Sequence, residues 1–125
     1  KVLVENTQGK KPKTFEIDFL NGNDAIELKW RDATTDGDHI TKEHTRVKAI
    51  ESHGYKPIRV MFYYPQREQA IKIQETLKTI YSGVNGEYYS EDAAWDYLQK
   101  TSGYNLKEIL TEIAERRDRE DNGDK

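Results

Sequence analysis

Cysteine is missing altogether from the 125 residues. That removes disulfides and thiolate metal sites, and it agrees with a reducing, cytoplasmic setting. Long apolar runs are lacking too: none approaches the roughly 20 residues that a membrane-spanning helix needs. The opening Lys1-Val2-Leu3-Val4-Glu5 is too short, and turns polar too soon, to be a signal peptide. Because it begins on lysine in what reads as a strand, the chain is expected to be a fragment with upstream structure missing. There is no excess of basic charge, the net being −3, which argues against a protein that coats nucleic acid nonspecifically. An enzyme that visits DNA stays open, since acidic site residues lower the count and basic ones can gather on one face. Hydrophobic and charged residues each make up 34%, so a thin core and a heavily charged surface are expected. The apolar residues cluster into periodic runs, as a folded chain requires. Residues 1–117 read as one domain and 118–125 as a charged, frayed tail.

Val2-Leu3-Val4 reads as a short strand, followed by a basic connection through Lys10-Lys11-Pro12-Lys13. Phe15 to Leu20 and Ala25 to Trp30 both alternate apolar and charged residues around the turn Asn21-Gly22-Asn23-Asp24, the pattern of a hairpin. A polar loop from Arg31 to Asp38 leads to a helix from about His39 to His53, stopped by Gly54. Residues 57–64 read as a buried strand. An amphipathic helix with Ala70, Ile73, Leu77 and Ile80 on one stripe then ends near Gly83. Ser90 is placed to cap a shorter helix carrying Trp95 and Leu98, closed at Gly103. Asn105 with Glu108 forms a capping box for a last helix with Leu106, Ile109, Leu110 and Ile113. The order implies an α/β fold with a mixed sheet. An antiparallel hairpin joins a parallel strand after a crossover helix, and further helices flank the sheet.

The turn fixes the hairpin register. If Asn21 faces Asp24, then Phe19 faces Ile26, Ile17 faces Leu28 and Phe15 faces Trp30, giving one apolar face. On the other face Asp18 falls opposite Glu27, and Glu16 opposite Lys29. Facing side chains have Cβ atoms about 5 Å apart, where two like charges repel by about 3 kcal/mol at an effective dielectric of 20. A divalent cation between the carboxylates would reverse that sign, and hard oxygen ligands suit magnesium. Lys29, two residues after Glu27, shares its face and can orient a nucleophile or neutralise charge on a phosphate. The plainer alternative is a wet strand face on which Glu16 and Lys29 form an ordinary surface pair.

Asp18 followed by Glu27-Leu28-Lys29 resembles the PD-(D/E)xK nuclease superfamily over positions 14 to 64, with Ile17 where proline often precedes the first acid. The run Ile26 to His39 and the later Gly54 to Pro65 resemble type II restriction endonucleases of the ApaLI kind. The helix that usually precedes the three antiparallel strands is not in the chain, nor is any acidic ligand it would contribute. The resemblance implies a restriction-endonuclease-like fold in which Asp18, Glu27 and the backbone carbonyl of Leu28 hold Mg2+, with Mn2+ as a substitute. It implies that Lys29 serves in-line hydrolysis of a DNA phosphodiester, leaving a 5′-phosphate and a 3′-hydroxyl. It also implies a homodimer on a palindromic double-stranded site, as part of restriction-modification.

Arg31, His39, Lys42 and Arg46, with His44 and Lys48 nearby, make the following loop and helix basic, and the first four are candidates for DNA contact. A solvated helix face is the alternative. The histidines lack the spacing of a zinc site, and Asp32 to Asp38 lacks the ligand order of an EF-hand loop and reads as a capped turn. Tyr88-Tyr89 either stacks on a base or packs on the next helix, and the stripe from Leu106 to Ile113 is core or a dimer face. Three function classes follow. They are a type II restriction endonuclease, another nuclease on the same core (repair, resolvase or transposon type), and a noncatalytic DNA-binding module.

Overall fold

A computed structural model describes residues 2–101 and 106–123. Strand β1 (Val2–Glu5) pairs antiparallel with β2 (Thr14–Ile17) as a separate two-stranded sheet. A four-stranded sheet has the order β3 (Phe19–Asn21), β4 (Asp24–Arg31), β5 (Lys56–Tyr63) and β6 (Glu87–Ser90). β3 and β4 are antiparallel, while β4–β5 and β5–β6 are parallel. Helix α1 (Asp38–Ser52) makes the first crossover and α2 (Glu68–Gly83) the second. Helices α3 (Asp92–Thr101) and α4 (Leu106–Gly123) complete the chain. The mixed α/β sheet flanked by helices is the expected fold class, with β6 as an additional strand.

The sheet lies between two helical layers. Ile26 and Leu28 of β4 and Ile58, Val60 and Phe62 of β5 form one core with Ala94 and Leu98 of α3 and Ile113 of α4. Alternate residues turn to the opposite face, where α1 and α2 pack on each other and on β5. Because β5 is covered on both faces, its sequence is a nearly unbroken apolar run. Arg59 interrupts that run. Gly54, at φ 86°, ends α1 in the left-handed conformation that only glycine adopts freely.

The hairpin register holds over Asn21↔Asp24, Leu20↔Ala25 and Phe19↔Ile26, then stops at Asp18. Here the structure corrects the sequence expectation. Phe15 faces Val4 and Ile17 faces Val2, rather than Trp30 and Leu28. Glu16 faces Leu3, so it is no cross-strand partner of Lys29. Burial explains the bend at Asp18: by leaving β4, β2 places Ile17 and Phe15 in a second core with Val4, Ala25 and Ile50. The Asp32–Asp38 loop is a series of capped turns, with Thr34 N–H donating to Asp32 Oδ1 and Asp38 N–H to Asp36 Oδ1. Helix α4 runs to Gly123, within the 118–125 stretch read from sequence as a charged tail. Gly103, Asn105 and the side chains of Leu106, Glu108 and Ile109 lie outside the described residues.

Candidate active site

Where the antiparallel ladder ends, β4 is left with an open edge at Leu28. The Asp18 carboxylate closes half of it, Oδ2 accepting the Leu28 N–H at 3.0 Å. The Leu28 carbonyl is closed by Arg116 of α4, whose Nη1 donates at 2.6 Å, while Nη2 of the same guanidinium donates to Asp18 Oδ1 at 2.7 Å. The carboxylate of Asp18 and the carbonyl oxygen of Leu28 therefore converge on one cation. Asp18 is 3% exposed, so a buried charge is matched by a buried charge.

Glu27 is served from the other side of the sheet. Arg46 of α1 donates to Glu27 Oε2, to Glu43 Oε1 at 3.1 Å and to the Glu16 carbonyl at 3.0 Å. Lys29 Nζ lies 3.9 Å from Glu27 Oε1. Burial pushes the Glu27 carboxyl above its ordinary range, and Asp18 and Glu43 add to that, against the pull of Arg46 and Lys29. Glu43 moves the opposite way: Arg46, Arg59 and the Tyr81 hydrogen bond overcome burial and hold its carboxyl low. Tyr81 Oη donates to Glu43 Oε1 at 2.5 Å. Behind this lies a second buried pair, Arg59 Nη2 donating to Asp32 Oδ2 at 2.5 Å, with His39 Nε2 at 3.0 Å from the same oxygen.

Asp18 and the Leu28 carbonyl thus share one guanidinium, while Glu27 lies beside Lys29 and Arg46, near enough to Asp18 to feel its charge. Among the described residues no three His, Asp or Glu side chains form a metal cage; the site offers two carboxylates and one main-chain oxygen. That set fits a hard divalent cation, and the fit is tested by Arg116, a cation already bound by two of the three groups.

The four basic candidates separate. Lys42 is exposed, and Arg31 is half-buried with its guanidinium carbon 5.7 Å from the ring centre of Tyr63. Arg31 and Tyr63 border a pocket of about 260 Å³ that Ala33, Tyr64 and Gln66 also line. Arg46 and His39 point inward and meet protein carboxylates instead. Tyr88 and Tyr89 pack: Tyr88 Oη donates to Gln74 at 2.5 Å, and Tyr89 stacks on Tyr97 at 4.6 Å.

Sequence reasoning missed Arg116, Glu43 and Arg59. Each had a signal. Glu43, Val47 and Ile50 share the inward stripe of α1, and Ile113, Arg116 and Glu120 continue that of α4. Arg59 sits within an apolar run that reads as fully buried.

Among the described residues no helix is long and apolar enough to cross a membrane. The chain matches no curated protein and no solved structure. A family model, ApaLI-like restriction endonuclease, matches residues 1–115. With a DNA nuclease implied by that match over nearly the whole chain, and a carboxylate–carbonyl–lysine constellation at the open edge of β4, the chain belongs to the ApaLI-like restriction endonuclease family.

Proposed function

We propose that this protein is a type II restriction endonuclease, acting in the cytoplasm as a homodimer on a specific double-stranded DNA site with Mg2+ as cofactor. One observation carries the reading: Asp18 Oδ1 and the Leu28 carbonyl converge on a single cation position, with Lys29 Nζ beside Glu27. Asp18, Glu27 and the Leu28 carbonyl are the proposed ligands. When bound, the ion would neutralise charge on the phosphodiester and make a water more acidic. Lys29, on the same strand face as Glu27, holds its ammonium toward the attacking water and the phosphate oxygens, where charge grows in the transition state. Arg31 and Lys42 are the proposed contacts to DNA phosphate or bases, whereas Arg46 and His39 serve the site by orienting acidic groups.

Replacing Lys29 with Met keeps the stem and removes the charge. Affinity for DNA measured in Ca2+ is expected to change by less than about threefold, since one phosphate contact among several carries only part of the electrostatic attraction. Single-turnover cleavage in Mg2+ is expected to fall about 100-fold or more. A near-normal rate would refute the role. A noncatalytic DNA-binding module is the second reading, favoured by the arginine that each carboxylate already has. It predicts no metal-dependent cleavage by the unaltered protein.

A further inference from the structure

We propose that Arg116 is the resident cation of the metal-free site, that it and the divalent ion exclude each other, and that metal loading therefore releases the adjoining stretch of α4 from β4. This rests on the metal site proposed above. The family match assigns Arg116 no role, since it covers residues 1–115.

All three nitrogens of the guanidinium are engaged. Nε donates to Glu112 at 3.0 Å, Nη1 to the Leu28 carbonyl at 2.6 Å and Nη2 to Asp18 Oδ1 at 2.7 Å. The side chain is 11% exposed. A planar fork held at all three nitrogens is poised over two oxygens and is no loose surface ion pair. One of its acceptors is a main-chain carbonyl at the end of a ladder, a group that stays in place when side chains move. An ion taking those same two oxygens would stand a few ångströms from a positive charge in a poorly hydrated site, so the two cations cannot share it.

Arg116 is useful before the metal arrives. It keeps Asp18 and Leu28 converged and cancels the buried carboxylate, whose other hydrogen bond among the described residues is from the Leu28 N–H. The helix is latched a second time one turn on, where Glu120 Oε2 accepts the Arg31 N–H at 2.8 Å. Ile113 anchors it in the core. Displacing Arg116 therefore loosens a local segment beside Lys29 and Arg31 and leaves the rest of the fold in place. The apparent affinity for metal is lowered by the fraction of molecules in which Arg116 is docked.

The experiment titrates Mn2+ into the unaltered protein and into Arg116→Gln, reading free Mn2+ by electron paramagnetic resonance, with Asp18→Asn as the variant lacking a ligand. Arg116→Gln is expected to bind about 10-fold more tightly than the unaltered protein. Arg116→Lys, which retains charge without the fork, should fall between them. A merely structural ion pair would give equal or weaker binding in Arg116→Gln, and that result overturns the proposal while leaving the metal site standing. No Mn2+ binding by either protein overturns both. Should Arg116→Gln not fold, hydrogen exchange of the unaltered protein decides. Saturating Mn2+ is expected to speed exchange of the 112–120 amides, and unchanged or increased protection there refutes the exchange of cations.

Discussion

Asp32→Asn isolates the buried charge pair behind the site and probes it without any metal. Arg59 is fully buried in mid-β5, and Asp32 Oδ2 accepts from its Nη2 at 2.5 Å. Its guanidinium carbon lies 5.9 Å from the ring centre of Tyr88, and Nε and Nη1 have no hydrogen-bond partner among the described residues. Removing the carboxylate charge takes away the anion hydrogen-bonded to this guanidinium and leaves Glu43 as the remaining carboxylate that acts on it. Charge centres about 4 Å apart attract by about 4 kcal/mol at an effective dielectric of 20, and breaking buried pairs costs about 3–5 kcal/mol. A loss of about 3–4 kcal/mol is therefore expected at pH 7, out of roughly 5–15 for a domain of this kind. Burial alone would raise the Asp32 carboxyl, but the His39 hydrogen bond and the Arg59 charge hold it below its ordinary 3.8. With the folded value depressed, the unfolded chain binds more protons. The contribution is then complete above the unfolded value and is lost as pH falls toward the folded one. The gap between the two proteins should thus narrow by about 1 kcal/mol between pH 7 and pH 3. Urea unfolding at both pH values measures it, with Asp32→Asn/Arg59→Met as the partner experiment. The double variant should lose less than Asp32→Asn alone, because no buried charge is left unpaired. A cost below about 1 kcal/mol at pH 7, or a gap that ignores pH, would refute the reasoning.

Gly86→Ala should lower stability by about 1–3 kcal/mol, because an added Cβ would lie 2.4 Å from the Pro57 carbonyl oxygen and 3.0 Å from that of Tyr81. Both atoms are main chain and cannot move aside cheaply, so an unchanged melting temperature would show that this close approach does not exist. Tyr81→Phe deletes the 2.5 Å hydrogen bond to Glu43 and should cost about 1–2 kcal/mol in urea unfolding. Burial, reinforced by Glu43, holds the Tyr81 hydroxyl well above its usual range, so that cost should be the same at pH 6 and pH 9. A cost that faded by pH 9 would mean the hydroxyl ionises there.

The parts of this fold legible in the sequence are those whose partners are close along the chain. Asn21↔Asp24 to Phe19↔Ile26 follows from a two-residue turn and alternation, and α1 and β5 follow from apolar period and Gly54. The same arithmetic fails at Ile17, where the competing partner is Val2. Periodicity says which face of a strand is apolar, and it is silent on which of two neighbours covers it. β6 escaped for a related reason: all four of its residues are half-buried, so Glu87-Tyr88-Tyr89-Ser90 shows no alternation.

The site follows the same division. Asp18, Glu27 and Lys29 are visible because their spacing within one hairpin is local, and the repulsion between the two acids is visible with them. What answers that repulsion in the folded chain comes from far away and from both faces of the sheet. Arg46 reaches Glu27 from α1, and Arg116 reaches Asp18 from α4. Arg46 is 19 positions from Glu27 and Arg116 is 98 from Asp18, so neither pairing is a local pattern. The two arginines also differ in what they leave for a metal. Arg46 is held by Glu43 and the Glu16 carbonyl as well as by Glu27, and so has other partners if Glu27 turns toward an ion. Once Asp18 and Leu28 are taken, the hydrogen-bond partner left to Arg116 among the described residues is Glu112, which lies on its own helix. Arg46 is therefore the fixed member of the site. Arg116 can withdraw with its helix, which makes α4 the layer whose docking responds to the charge between Asp18 and Leu28.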